Sequence, residues 1–304
     1  MTAKPDDWRL PAGRLVDVGS RGEMFVREAP GRPGAPAVVL LHGWTSTADI
    51  TWYGVFGLLG EHFRAVAPDL RGHGLGPRHG RKASLDDVVE DVAALIRTLD
   101  LAPAAVVGYS LGGAVAQRLA REHDDLVAGV VLCASAARFT AVPITARWTR
   151  IFNGICRFAS MLPDAVSAVV AEAIMRLLYG WDGFQRWALP LMRRHRWSNV
   201  LYLAADLATY DASEWIGEIQ APMAVLLTAD DVHVPTDRQA HLAGVCGARV
   251  FEMSGGHSAC LSDPDHFASV LLEACEHVLG VQASRCGPRP EGTELPTPFR
   301  AESA

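Results

Sequence analysis

Short apolar runs alternate along this chain with stretches of helical periodicity, which is the pattern of a mostly parallel sheet covered by helices. Ala37–Leu41, Ala104–Val107 and Gly129–Cys133 are runs of this kind, apolar at consecutive positions, as strands buried on both faces must be, and Arg64–Ala67 is a shorter strand ending at Pro68. Arg14–Val18 and Glu23–Glu28 flank Gly19-Ser20-Arg21-Gly22 and predict an opening hairpin. Met223–Thr228 and Arg249–Met253 complete a set of eight strands. Between them, Ser84 is placed to cap a helix whose apolar face is Val88, Val89, Val92, Leu95, Ile96 and Leu99. A helix rich in small residues is expected over Leu111–Glu122 and a last one over about Pro264–Leu279. The expected fold class is α/β: an eight-stranded, mostly parallel sheet with helices on both faces.

From residue 136 to residue 221 the pattern is helical, with no convincing strand. Trp148, Ile151, Phe152, Ile155, Phe158 and Leu162 form one stripe of 3.6-residue period. Val166, Val169, Val170, Ile174, Leu177 and Leu178 form a second. Phe184, Trp187, Ala188 and Leu191 form a third, and Val200, Leu203, Ala204 and Leu207 a fourth. Their place after a sheet strand and before the last two strands predicts an all-helical cap. The expected division is therefore a core in two parts, 1–135 and 222–281, a cap over 136–221, and a tail over 282–304. Pro288, Pro290, Pro296 and Pro298 among charges predict disorder in that tail. The aromatic residues crowded into the cap have two places to go, its own seam or the ceiling of a pocket. Trp148, Phe152, Trp181 and Trp187 are the pocket candidates.

Composition narrows the function classes. The 304 residues are 49% hydrophobic and 20% charged, enough for a sizeable core, and the net charge of -6 suggests no polyanionic partner. The basic residues read as scattered, which argues against a nucleic-acid ligand. Six cysteines without a CxxC pair read as incidental thiols. The first ten residues hold Pro5, Asp6 and Asp7 and no apolar core of a signal peptide, and no apolar run reaches membrane-spanning length. The expectation is a cytoplasmic protein without membrane insertion.

Five segments bear on the chemistry. Gly108-Tyr109-Ser110-Leu111-Gly112 joins a predicted strand to a predicted helix, the strand–turn–helix setting of a G-x-S-x-G nucleophile elbow. The turn is too sharp for side chains two positions before and after the serine, and it sets the Leu111 N–H at a helix N-terminus where an oxyanion could be held. His42-Gly43-Trp44 follows the strand Ala37–Leu41, and Asp69-Leu70-Arg71-Gly72-His73-Gly74 follows Arg64–Ala67. Asp230-Asp231-Val232-His233-Val234-Pro235 follows Met223–Thr228, and Gly255-Gly256-His257-Ser258 lies between the last strand and the last helix. There is no H-E-x-x-H metal motif, and no G-x-G-x-x-G opens a helix after a strand, so neither metal nor nucleotide cofactor is expected.

Taken in this order, the segments resemble the α/β-hydrolase-fold superfamily over about residues 14–279. The resemblance implies a Ser…Asp…His catalytic triad of Ser110, Asp231 and His257. It takes Asp231 from the D-x-x-V-P spacing, with Asp230 as the neighbouring alternative. By the same resemblance the oxyanion is held by the backbone N–H groups of Trp44 and Leu111. The His42 side chain reads as a satisfied turn histidine. Asp69–Gly74 reads as a structural turn bracing the elbow, with His73 as a rival base. The implied activity is hydrolysis of a carboxylic ester, lactone or thioester of an apolar small molecule through an acyl-enzyme on Ser110. Cofactor-free haloperoxidase or perhydrolase chemistry and carbon–carbon bond hydrolysis are the alternatives within the fold. Leu111 and Ser258 depart from the residues those groups usually carry. A small-molecule receptor that keeps the triad is the alternative of another class.

Overall fold

The computed structural model describes residues 10–78, 83–139, 146–179 and 188–281. Eight strands form one sheet: β1 Gly13–Asp17, β2 Glu23–Ala29, β3 Ala37–Leu41, β4 Arg64–Pro68, β5 Ala104–Tyr109, β6 Val127–Cys133, β7 Met223–Thr228 and β8 Arg249–Met253. Their order is β1-β2-β4-β3-β5-β6-β7-β8. β2 runs antiparallel to β1 and β4, and every other pairing is parallel. The eight expected strands are all present, with ends shifted by a residue or two.

Eleven helices are described: α1 Ala48–Trp52, α2 Phe56–His62, α3 Leu85–Thr98, α4 Leu111–Glu122, α5 Ala146–Ser160, α6 Asp164–Tyr179, α7 Ala188–Met192, α8 Trp197–Leu207, α9 Thr236–Cys246, α10 Ala259–Ser262 and α11 Pro264–Leu279. Ser84 caps α3 as its sequence position predicts. Its hydroxyl accepts from the Asp87 N–H, and the Asp87 carboxylate reaches back to the Ser84 N–H as a capping box. The short helices α1, α2 and α10, and the longer α9, were not anticipated.

Strand alternation splits the core into two layers. Val39, Leu41, Val106, Leu132 and Val225 point to the α3 and α4 side, where they meet Val88, Val92, Ile96, Val115 and Leu119. Val38, Leu40, Val107, Val131 and Leu226 point to the other face and pack on Trp52, Leu59, Phe267 and Leu271 of α1, α2 and α11. A buried ion group ties the N-terminal hairpin to the sheet's helical layer. The Arg71 guanidinium donates to both Asp91 oxygens, at 2.7 and 2.6 Å, and Arg21 Nε donates to Oδ1 at 2.7 Å.

Helices α5 to α8 occupy the stretch between β6 and β7. Cys156 and Ala159 of α5, Ala171 of α6 and Leu201, Ala204 and Ala205 of α8 form their shared seam, with Phe152 packed on its edge. The predicted α5 stripe is therefore only partly buried. Ile151, Ile155 and Phe158 face outward, Phe158 with 67% of its surface exposed, because the helices meet through small residues that permit close approach. The third stripe falls largely outside the described residues, and so do Trp181 and Trp187 and the side chain of Trp148. Among the described residues no helix is long and apolar enough to cross a membrane.

Candidate active site

β5 ends at Tyr109 and α4 begins at Leu111, so a single residue makes the turn between them. That residue, Ser110, has φ 52° and ψ -112°, a left-handed conformation a side chain adopts only under constraint. Its N–H continues the sheet by donating to the Cys133 carbonyl at 2.9 Å, and its carbonyl accepts the Gly113 N–H at 2.8 Å. The flanking glycines are steric requirements. A Cβ on Gly108 would lie 2.3 Å from the Gly112 carbonyl oxygen, and one on Gly112 would lie 2.2 Å from that of Leu41. The strand and the helix pass too close for anything larger than hydrogen.

The loop after β8 brings His257 over this turn. Its Nε2 lies 3.0 Å from Ser110 Oγ and its Nδ1 2.8 Å from Asp231 Oδ2. A carboxylate only accepts, so Nδ1 carries the proton and Nε2 is left to accept from the serine hydroxyl. The imidazole is held from two further sides: the Tyr109 hydroxyl donates to the His257 carbonyl at 2.7 Å, and its ring meets the imidazole edge-on at 5.9 Å.

Asp231 is fixed by more bonds than its histidine. Oδ1 accepts the N–H groups of His233 and Val234 at 2.8 and 2.9 Å, and Oδ2 accepts Thr228 Oγ1 at 3.0 Å and Gln239 Nε2 at 3.3 Å. Burial pushes the carboxyl up, but the hydrogen bonds from His257, Val234 and His233 outweigh it and hold the group below the usual carboxylate range. Asp230, by contrast, is exposed, and among the described residues its carboxylate accepts the Gly255 N–H alone, at 3.3 Å.

The structure thus draws together Ser110, His257 and Asp231, residues separated by up to 147 positions. Sequence inspection did not single out Thr228, Gln239 or Tyr109. Each is an ordinary strand or helix residue until the fold sets it beside the carboxylate or the imidazole. His233 was noticed only as part of the D-x-x-V-P run; its ring lies 5.4 Å from that of His257.

The 42–45 loop borders Ser110: a Cβ on Gly43 would sit 3.6 Å from both Ser110 Cβ and the Tyr109 carbonyl oxygen. His42 is fully buried; its Nδ1–H donates to the Gly43 carbonyl at 2.8 Å and its Nε2 accepts the Leu70 N–H at 2.9 Å. It is the satisfied histidine its sequence setting suggested. His73 is equally buried, donating to the Arg71 carbonyl at 3.1 Å and accepting the Thr45 N–H at 3.2 Å. Both of its nitrogens are therefore committed to backbone. The Asp69–Gly74 turn braces less of the elbow than expected and more of its surroundings: Asp69 accepts the N–H groups of Ala48 and Leu75, and the Gly74 N–H donates to His195. Trp44 packs where the core meets α5, α6 and α8, and its indole N–H donates to the Val200 carbonyl at 2.9 Å.

Comparison with known proteins places this arrangement. The chain is 25% identical to AB hydrolase superfamily protein YisY of Bacillus subtilis, over 86% of this chain and 98% of that one. Its fold resembles the enol-lactonase of Burkholderia xenovorans LB400, with a TM-score of 0.70 and 22% identity over 86% of this chain and 98% of the other. It also resembles an esterase of Exiguobacterium antarcticum, with a TM-score of 0.69 and 18% identity over 87% of this chain and 100% of the other. A family model of the alpha/beta hydrolase fold matches residues 36–264, a stretch from β3 to the start of α11 that holds all three members of the hydrogen-bonded Ser110–His257–Asp231 line, and the chain belongs to that family.

Proposed function

We propose that the protein is a serine hydrolase that cleaves a carboxylic ester, lactone or thioester of an apolar small molecule. The observation that supports it is the unbroken hydrogen-bonded line from Ser110 Oγ through His257 to Asp231, at 3.0 and 2.8 Å. A serine hydroxyl is a weak nucleophile until a base takes its proton, and His257 Nε2 stands in line to take it. The attack forms a bond from Oγ to the acyl carbon and puts the carbonyl electrons on oxygen. His257 then passes its proton to the leaving alcohol or thiol as that bond breaks. Water, deprotonated by the same nitrogen, attacks the acyl-enzyme and releases the acid with Ser110 restored. Asp231 stays ionised throughout and stabilises the imidazolium.

The oxyanion falls to the backbone N–H groups of Trp44 and Leu111. The Leu111 N–H opens α4, where the helix dipole adds to its pull. For Trp44 the orientation is set by His42, which holds the Gly43 carbonyl; in a trans peptide the N–H of the next residue then points the opposite way. Residues 136–221 act as the cap. His195 and the Val200 carbonyl reach the loops that border Ser110 from this insertion. Trp148, Phe152, Trp181 and Trp187 are the aromatic candidates for an apolar acyl pocket beneath it. The lactonase and the esterase of similar fold act on the same bond class.

The test is direct. A fluorophosphonate should label the protein on Ser110 alone, and p-nitrophenyl esters of graded length, run beside lactones and acyl thioesters, should show turnover. Labelling at another residue, or Ser110→Ala retaining more than about a thousandth of wild-type turnover, would overturn the assignment.

A further inference from the structure

Three buried imidazoles lie in a row beside the proposed oxyanion loop, and only two belong to the core. His42 and His73 meet edge to face at 5.1 Å, and His73 meets His195 in the same way at 5.2 Å. His195 belongs to the helical insertion, on the turn between α7 and α8, and is almost fully buried. Each ring uses one nitrogen to donate to a backbone carbonyl and the other to accept a backbone N–H. For His195 these are the Thr45 carbonyl at 3.2 Å and the Gly74 N–H at 2.9 Å.

The three together hold consecutive peptides of one loop. His42 takes the Gly43 carbonyl, His73 the Thr45 N–H and His195 the Thr45 carbonyl. Thr45 needs holding, because its φ of 58° is left-handed and a β-branched residue enters that region only when its surroundings compel it. Trp44, between the held peptides, is fixed from outside by its indole bond to the Val200 carbonyl of α8. Two of these four contacts, those of His195 and of the Val200 carbonyl, therefore come from the insertion. The loop is not a finished part of the core that the insertion merely covers.

We infer that His195 is a positioning residue for catalysis: by seating the insertion on Thr45 it sets the Trp44 peptide in the orientation that stabilises the oxyanion. The inference rests on the serine-hydrolase reading and on Trp44 as an oxyanion donor. Seating of the insertion and completion of the oxyanion hole are then one event. Burial supports the picture, since it lowers His195 to about 4 and His42 to about 3, with His73 also well below its ordinary value. Arg78, near His195, acts in the same direction, so at neutral pH all three rings are neutral and each tautomer is defined by its partners.

The experiment compares two amides at position 195. Glutamine is long enough to donate to the Thr45 carbonyl; asparagine can accept from the Gly74 N–H but is too short to reach Thr45. In His195→Asn, kcat should fall tenfold or more on acetyl and hexanoyl esters alike, with KM changed less than threefold, because the oxyanion is common to every ester. His195→Gln should recover most of that loss. Should the asparagine variant not fold, His195→Met, which fills the space without a donor, takes its place in the comparison. Equal kcat in wild type and His195→Asn would overturn the inference. So would losses that scale with acyl length, which mark a pocket residue, or glutamine and asparagine variants equally impaired, which mark a packing role. Wild-type enzyme that turns over no ester and takes no fluorophosphonate on Ser110 would overturn the serine-hydrolase reading itself. Wild-type turnover with an unimpaired asparagine variant overturns the positioning role alone.

Discussion

Asp231 Oδ2 receives the Nδ1–H of His257 at 2.8 Å, while its exposed neighbour Asp230 accepts a backbone N–H from the glycine loop. One residue of register separates a fully bonded buried carboxylate from an exposed one. Asp231→Asn should lower kcat by on the order of a thousandfold or more, since the amide can leave the imidazole in the wrong tautomer. Asp230→Asn should lower it less than about fivefold, as expected for an exposed group outside the proton path. Steady-state kinetics on one ester reads both, and an inactive Asp230 variant beside an active Asp231 variant would reverse the assignment.

The elbow should not tolerate even a methyl group. Gly112→Ala would put a Cβ against the Leu41 carbonyl, a backbone atom that cannot step aside. The strain should destabilise the protein by roughly 2 kcal/mol or more and displace Ser110, so activity falls more than stability. Chemical denaturation and ester kinetics measure the two losses separately. A variant of wild-type stability and turnover would mean the strand and helix have room that these contacts deny.

Asp91 is fully buried between two guanidinium groups. Asp91→Ala removes the anion and leaves Arg71, itself nearly buried, without its bidentate partner. The expected cost is about 3–5 kcal/mol, typical of breaking a buried pair from one side. The midpoint of urea unfolding reports it. A loss under about 1 kcal/mol would show that water or another carboxylate can take the place of Asp91.

The buried histidines make stability depend on acid. Their folded values lie at about 3 for His42 and about 4 for His195, with His73 also low, against about 6.5 in an unfolded chain. Below pH 6.5 the unfolded chain therefore binds protons that the folded one refuses. Stability is full above that value and is lost as pH falls from about 6.5 toward 4. Asp69 opposes them: burial raises it to about 6, so the folded state binds its proton first and regains stability as pH falls. Asp206, also raised by burial, acts with Asp69, and His233, also lowered by burial, acts with the three rings. Four lowered imidazoles outweigh two raised carboxyls, and Tm should drop between pH 6.5 and 4.5, with a shallower slope in His195→Gln. A flat Tm over that range would contradict the neutral, buried trio.

A chain-length series tests the pocket. Each methylene buried beneath the cap should raise kcat/KM by up to about fourfold, or ~0.8 kcal/mol, until the space is full. Phe152 lies at the edge of the insertion's seam, so Phe152→Ala should lower kcat/KM for a medium-chain ester more than for the acetyl ester if the ring also borders the acyl chain. Equal losses on both would assign the ring to the seam alone, and a flat wild-type profile would remove the apolar pocket.

Much of this protein is legible in its sequence, and the legible part has a common cause. Strands buried on both faces must be apolar at every position, so the runs Ala37–Leu41, Ala104–Val107 and Met223–Thr228 announce themselves. Sharp turns demand glycine, which makes the Ser110 elbow visible as a spacing. The D-x-x-V-P interval separates Asp231 from Asp230 for the same local reason, because its backbone N–H partners, His233 and Val234, lie two and three residues on.

What stayed hidden depends on distance along the chain. Nothing near residue 195 marks that histidine as the partner of Thr45, 150 positions earlier, and nothing near Gln239 marks it as a donor to Asp231. Nor could periodicity say which side of α5 would be buried, since its Ile151, Ile155 and Phe158 face and its small-residue face both repeat every three to four residues. Local backbone needs are written into neighbouring residues and can be read from them. Contacts between elements are decided only when the sheet sets its two ends, its loops and the helical insertion side by side, and there the buried polar groups take whichever partners the packing brings within reach.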